Sequence, residues 1–177
     1  REVRGSLPEL PADAKPAAYR ALLPPAVDNS TLPSFPPIRD QGTINSCVAF
    51  SNTYYVMTHM VGMARGWNTK DDADNTNKFS PAWTFNMMNN GLNEGGPDLM
   101  IFRILLNAGC PTWNEAPYIG NREEPLNYRA WSIDPMVWRH ALDNRIDRIG
   151  YVPNTDTDEG LLMIKLLLNN GYVLNAG

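Results

Sequence analysis

The stretch RDQGTINSCVAFSNTYYVM, from Arg39 to Met57, changes from turn-forming residues to an apolar run at its cysteine. After Cys47, apolar residues recur at helical spacing and the other faces are also rich in apolar residues, which is typical of a buried helix. We therefore predict a buried helix from Cys47 to about Ala64, with the cysteine in its first turn.

A cysteine in the first turn of a helix lies where backbone N–H groups and the helix dipole favour negative charge, which raises its thiolate fraction. The local context of Cys47 alone equally fits an ordinary buried cysteine. Gln41 lies six residues upstream on a turn-rich segment. Its side-chain amide and the backbone N–H of Cys47 are the two donors that an oxyanion hole needs, so the pair predicts a nucleophilic site.

The composition excludes several partners. The 177 residues are 43% hydrophobic and 19% charged, with a net charge of −4 and no cluster of Lys and Arg. This pattern fits a folded domain and gives no basic surface for nucleic acid or an anionic membrane. The longest late apolar run, LLMIKLLL, contains Lys165 and is too short to span a bilayer. We expect neither nucleic acid nor a membrane as a partner.

Local signals predict the other elements. The proline-rich residues 1–38 read as an extended arm. Ser80 and Pro81 begin a second helix, and Gly96 and Pro97 begin a third that Gly109 ends. A Trp-rich irregular stretch follows. We then predict a strand at RIDRIGYV (145–152), a helix capped by Asp156 or Thr157 and ended by Gly171, and a last strand at GYVLNAG (171–177).

The residues around Cys47 resemble the papain-like cysteine peptidases. DQGTINSCVAFS (40–51) is similar to that family's active-site segment, with its glutamine and its Ser-Cys-aromatic-Ala-Phe-Ser run. Four further stretches, together reaching from residue 22 to residue 177, follow the family in order: the mature N-terminus LPPAVDNSTLPSFPPIRDQG, the helix opening FSP, the segment NEGGPDLMIFRILLNAGCPTWNEAPY, and DEGLLMIKLLLNNGYVLNAG.

The resemblance implies a fold and a site. The fold would be α+β, the papain-like two-lobe fold, here mainly the helical lobe with the beginning of the β-barrel lobe. Residues 1–21 would be an N-terminal extension or propeptide remnant, and residues 22–177 a peptidase domain that stops before its catalytic histidine. Cys47 would be the nucleophile and Gln41 the oxyanion glutamine, while the substrate-binding residues would be Gly95, Gly96 and Asp98.

The same resemblance implies a cysteine endopeptidase whose substrate is a peptide or protein and which needs no cofactor. We expect a secreted or cell-envelope location, with a cytoplasmic one left open. The ends of the chain, at Arg1 and at VLNAG, suggest a processed or cut polypeptide.

Two departures from the family pattern bear on the site. Ile44 and Asn93 stand where the family has two cysteines that bond to each other. Their joint replacement implies that the disulfide is lost as a pair, so that apolar packing would have to hold the active-site loop. The other cysteine of this chain, Cys110, occupies an aliphatic position and is predicted to be a core thiol.

A histidine is missing from the predicted site, although a cysteine peptidase needs an imidazole and an orienting Asn or Asp. His59 lies twelve residues along the same helix, about 18 Å from Cys47. His140 lies where the family has a strand entry. We therefore expect the catalytic His and Asn beyond residue 177 or on a second chain carrying the rest of the domain.

Other functions stay open at this stage. The chain could be a catalytically inactive, peptidase-like binding or structural module, or an acyl or amide transferase with the same machinery. Two acidic runs, DDADNTN and NTDTDEG, resemble calcium loops, but their twelfth positions are Trp83 and Lys165, where a bidentate Glu is required. We therefore expect no metal.

Overall fold

The computed structural model describes residues 23–176, and these residues form short helices joined by long irregular segments. Six α-helical segments, one π-helix and two 3₁₀ turns follow one another along the chain: Asn29–Thr31 (3₁₀), α1 Cys47–Ala49, the π-helix Phe50–Met57, α2 Thr58–Arg65, α3 Pro81–Met88, α4 Asp98–Asn107, Pro125–Tyr128 (3₁₀), α5 Pro135–Asp143 and α6 Asp158–Asn169. None of the helices in the described part of the chain is both long and apolar enough to cross a membrane.

The predicted α+β fold with the start of a β-barrel lobe is wrong. Within residues 23–176 the β-structure is a single isolated antiparallel bridge between Phe79 and Thr112. Both predicted strands, 145–152 and 171–176, are irregular apart from turns. The backbone N–H and C=O groups of a strand must pair with those of a second strand. An apolar segment without such a partner strand is not held in an extended conformation. Tyr151, for example, is 87% exposed.

The predicted first helix is confirmed, and it runs without a break from Cys47 to Arg65; we call residues 47–65 the central helix. Its middle, however, is π-helical, as in the bond from the Thr58 N–H to the Thr53 carbonyl. Polar side chains buried in this stretch bond to its own backbone, including Asn52 Nδ2 to the Val48 carbonyl at 3.0 Å. Such back-bonding disturbs a regular helix, which fits the wider turns.

The helix ends follow their local signals. Pro81 is the first residue of α3, as predicted, although the Ser80 hydroxyl donates to the Ala116 carbonyl instead of capping the helix. Gly109 follows α4 with a positive φ of 67°. Thr157 caps α6 by accepting from the Gly160 N–H. Helix α5, which we did not predict, begins with Asp134 as its cap and proline at its first position.

The core lies between the central helix and helices α3 and α4. Phe50, Tyr54 and Met57 supply the central helix's share. Phe50 packs edge-on against Tyr118 with ring centroids 4.9 Å apart, which brings the segment after Thr112 into the same core. Because the central helix is held by this packing, the position of its first residue, Cys47, is fixed as well.

Both ends of the described chain are fastened to the central helix or to each other. The Asn29 amide donates to the carbonyls of Leu168 and Tyr172, at 2.8 Å each. His59 is fully buried and its Nε2 bonds to the Gly171 carbonyl at 2.6 Å. The segment after α6 therefore lies along the central helix. The predicted extension, residues 1–21, lies outside the described residues.

Candidate functional site

Cys47 is the first residue of the central helix, and its thiol is exposed and free of any disulfide. The residue before it, Ser46, is fully buried. Its hydroxyl is 2.6 Å from the Tyr118 hydroxyl, which in turn donates to the Gln41 carbonyl at 2.6 Å. Tyr118 therefore joins the base of the nucleophile's turn to the backbone of the predicted oxyanion glutamine.

Gln41 lies in the loop that leads to Cys47. Its Nε2 donates to the Ile44 carbonyl at 2.9 Å, which uses one of the two N–H groups of the amide. Next to it, Gly42 has a φ of 67°, and a Cβ there would lie 2.1 Å from the Gly120 carbonyl oxygen. The Thr43 N–H donates to that same oxygen at 2.8 Å. Only glycine at position 42 lets the loop approach this segment so closely.

The loop is also tied to the segment that contains Gly95 and Gly96. The Asn45 N–H donates to Asn93 Oδ1, and Asn45 Nδ2 donates to the Asn93 carbonyl, both at 2.8 Å. Ile44 is 1% exposed and belongs to the core. The expected apolar packing of the loop is therefore present at Ile44, but a pair of hydrogen bonds, which we did not predict, connects the loop to position 93.

The two predicted substrate-binding glycines differ in their surroundings. Gly95 is exposed, and a Cβ there would meet only the Asn45 carbonyl oxygen, at an ordinary 3.6 Å. A Cβ at Gly96 would lie 2.7 Å from Met88 Sδ. A side chain at position 96 would therefore have to displace the end of the flexible Met88 side chain, whereas Gly95 leaves open surface beside the loop.

Asp98, the first residue of α4, connects three elements. Its Oδ1 accepts from Asn52 Nδ2 of the central helix at 2.6 Å and from Asn175 Nδ2, beyond α6, at 2.5 Å. The Ser51 hydroxyl donates to Asn175 Oδ1. Within residues 23–176 no Lys or Arg forms an ion pair with Asp98. Its carboxylate is therefore held by the side-chain amides of Asn52 and Asn175.

Neither histidine of the chain is bonded to Cys47 within the described residues. His59 is enclosed in the core, where Nδ1 lies 3.1 Å from the Ser34 hydroxyl. His140 lies on α5, not in a strand, and its Nδ1 is paired with Glu115. The expectation that neither imidazole acts as the base of Cys47 agrees with these contacts.

The acidic run before α3 contacts the ammonium group of Lys78. Asp72 accepts from the N–H groups of Thr76 and Asn77, and its Oδ2 lies 3.4 Å from Lys78 Nζ. Lys78 is 1% exposed. No group of three or more potential metal ligands occurs in the part of the chain that the structure describes.

The sequence did not indicate the contacts that hold this site together. The only sequence signal for Tyr118 is that it ends the segment 93–118, which resembles the papain-like family. The pair of Asn45 and Asn93 and the contact of Asn52 with Asp98 join residues 46 to 48 positions apart, and no local pattern reports such pairs.

Comparison with protein-family models, with curated protein sequences and with solved structures finds no match to this chain.

Proposed function

We propose that the chain carries the nucleophile of a cysteine endopeptidase of papain-like chemistry. The Cys47 thiolate attacks the scissile carbonyl carbon, a C–S bond forms and the C–N bond breaks, and an imidazolium protonates the leaving amine. Water then hydrolyses the thioester and regenerates the thiol. The single observation that carries the proposal is the exposed thiol of Cys47 at the start of the 19-residue central helix.

The two oxyanion donors are the Cys47 N–H and the Gln41 amide. The first N–H groups of a helix have no partner within it, so the Cys47 N–H is open to a ligand. Gln41 keeps one N–H after its bond to the Ile44 carbonyl. The Tyr118 hydroxyl is hydrogen-bonded to the Ser46 hydroxyl and donates to the Gln41 carbonyl. Tyr118 is therefore a positioning residue for both oxyanion donors.

The substrate backbone would lie along Gly95, whose missing side chain leaves its backbone open to an extended peptide. The bonds between Asn45 and Asn93 keep this segment in register with the nucleophile's loop. Asp98, three residues further on, brings to the same region a carboxylate that forms no ion pair with a Lys or Arg of residues 23–176. This charge favours a substrate with a basic side chain near the cleavage point.

In this proposal the imidazole comes from outside residues 23–176, where neither histidine is bonded to Cys47: His59 is enclosed in the core, and His140 lies on α5 beside Glu115. The proposal therefore includes a His and an Asn that lie beyond residue 177 or on a second chain. The lack of a histidine bonded to Cys47 among the described residues also favours a second candidate, a peptidase-like binding module that keeps Cys47 without a base.

The test is the alkylation rate of Cys47 by iodoacetamide against pH, followed by peptide mapping, with Cys110 as the internal control. In the protein isolated from its source we expect fast reaction down to about pH 4–5, because an imidazolium stabilises the thiolate. In the 177-residue chain alone we expect slow reaction at pH ~5 and a rate that rises toward alkaline pH, because no imidazolium stabilises the thiolate.

A source protein whose Cys47 also reacts slowly at pH ~5 would overturn the peptidase proposal and leave the binding module. Fast reaction at pH ~5 in the 177-residue chain alone would contradict the external origin of the base instead. The control is direct: Cys110 should stay unmodified in both proteins while they are folded, because it is fully buried.

A further inference from the structure

A cavity of about 310 Å³ lies on another part of the molecule, between α3 and the segments 115–119 and 127–132. It shares no lining residue with the Cys47 site. The residues that matter for its chemistry are four large apolar side chains, one buried amide and one carboxylate: Trp83, Met87, Ile119, Trp131, Asn86 and Glu115.

Tryptophan dominates the cavity's apolar wall. Trp131 stacks on Trp138, with planes 10° apart, and Trp138 meets the edge of Trp83 at a centroid distance of 4.5 Å. The indole N–H groups of Trp83 and Trp138 already donate to backbone carbonyls at 3.0 and 2.7 Å. Trp131 and Ile119 remain 55% and 58% exposed. The wall therefore offers ring faces and apolar surface to a ligand, with the two inner indoles fixed in place.

The polar groups that line the cavity include two acceptors that set its preference. Asn86 is 8% exposed and donates its Nδ2 to the Ala130 carbonyl at 2.9 Å, but its buried Oδ1 accepts no bond from the described residues. Glu115 accepts from the Thr112 N–H and hydroxyl, at 2.8 Å each, and pairs with His140. These bonds favour the ionised carboxylate, and the described lining residues include no Lys or Arg.

We propose that this cavity binds a small organic cation with a flat apolar body, such as an arylalkylammonium ion. The half-exposed ring of Trp131 attracts a cation through its quadrupole, while Trp83, which is 6% exposed, forms part of the apolar floor. Glu115 adds a carboxylate, with the His140 imidazole as its partner. An anion of the same shape finds no Lys or Arg among the described lining residues. The binding is independent of Cys47.

The experiment titrates the 177-residue chain with benzylammonium, benzyl alcohol and benzoate while following the indole N–H signals by NMR. We expect saturable shifts at Trp83 and Trp131 with benzylammonium, about fivefold weaker binding of benzyl alcohol, and none of benzoate. Trp67 and Trp113, which lie outside the cavity, are the internal controls. Equal affinity for the cation and the alcohol, or shifts only at the control indoles, would overturn the proposal.

A variant pair localises the binding. Trp131→Ala removes a half-exposed ring and should weaken benzylammonium about fivefold. Tyr151→Ala removes a ring that is 87% exposed and outside the cavity, and should leave the affinity unchanged. A Trp131→Ala protein that binds as tightly as the original would rule out the proposed cavity, and the ligand series gives the same decision without any substitution.

Discussion

The surroundings of Cys47 and of Cys110 differ in almost every physical respect. Cys47 is exposed at the start of a helix, in a loop fastened by side-chain hydrogen bonds. Cys110 is fully buried, with its Sγ 3.4 Å from the Ser80 carbonyl and 3.3 Å from the Pro111 carbonyl. Burial raises the pKa of the Cys110 thiol well above its usual range, although the bond to Ser80 opposes this.

This difference shows how one residue type serves two purposes. A thiol reacts as its thiolate, so a group that is enclosed and held neutral contributes only packing. Around Cys47 the two hydrogen bonds between Asn45 and Asn93 are exposed and can be loosened without opening the core. Around Cys110 the contacts are backbone carbonyls and close-packed side chains, so a change there should be felt by the whole fold.

The largest expected difference between Cys110 and Cys47 is in how much their substitution lowers the free energy of unfolding. Cys110→Ala deletes a buried sulfur, and we expect a loss of about 1–2 kcal/mol in the free energy of unfolding. Cys47→Ala should change it by less than about 0.5 kcal/mol, because the side chain is exposed. Urea unfolding of both variants measures the difference. Equal losses would mean that the two cysteines are not the core and surface groups described above.

A smaller effect is expected at the hydrogen bonds that fasten the Cys47 loop. Asn93→Ala removes the acceptor of the Asn45 N–H, and should destabilise the loop by about 0.5–1 kcal/mol. Amide hydrogen exchange at Asn45 should accelerate, while exchange in α3 stays unchanged.

The matched control is Asn107→Ala. Its side chain is exposed, and its Nδ2 donates to the carbonyl of Arg103, one turn earlier. Exchange at Asn45 should not respond to it. If Asn93→Ala leaves Asn45 as protected as before, the bond at position 93 does not hold the loop.

The sequence was sufficient for elements with local start and stop signals. Pro81, Gly109 and Thr157 stand at the ends of helices where we predicted them. Helix α5, which we did not predict, has the same kind of signal in Asp134 and Pro135. The predicted strands failed because pairing depends on a distant segment, and the family resemblance implied a partner that residues 23–176 do not contain.

Of the residues of the candidate site, only Cys47 and Gln41 could be predicted from the local sequence pattern. The place of Gly95 and Asp98 next to them came from the resemblance, and their actual connections, through Asn93 and Asn52, are long-range. The π-helical middle of the central helix was not predicted either, since it depends on how buried polar side chains such as Thr53 and Thr58 bond after folding.

The smallest expected effect concerns acid stability near Cys110. Burial disfavours the charged form of Glu115, but hydrogen bonds from Thr112 and His140 outweigh it and lower the pKa of the carboxyl. A lowered pKa in the folded state means that the stabilisation is complete above the unfolded value of about 4.3 and is lost as the pH falls below it.

Urea unfolding between pH 3 and pH 7 tests this. Glu115→Gln should lose about 0.5 kcal/mol less stability than the original protein over that interval, because the substituted amide has no proton to bind. Glu123→Gln is the control, since the Glu123 side chain is 84% exposed and lies 3.9 Å from Arg122. Its acid dependence should match that of the original. If Glu115→Gln also matches it, the carboxylate near the buried thiol gains nothing from Thr112 and His140, and the Cys110 region is held by packing alone.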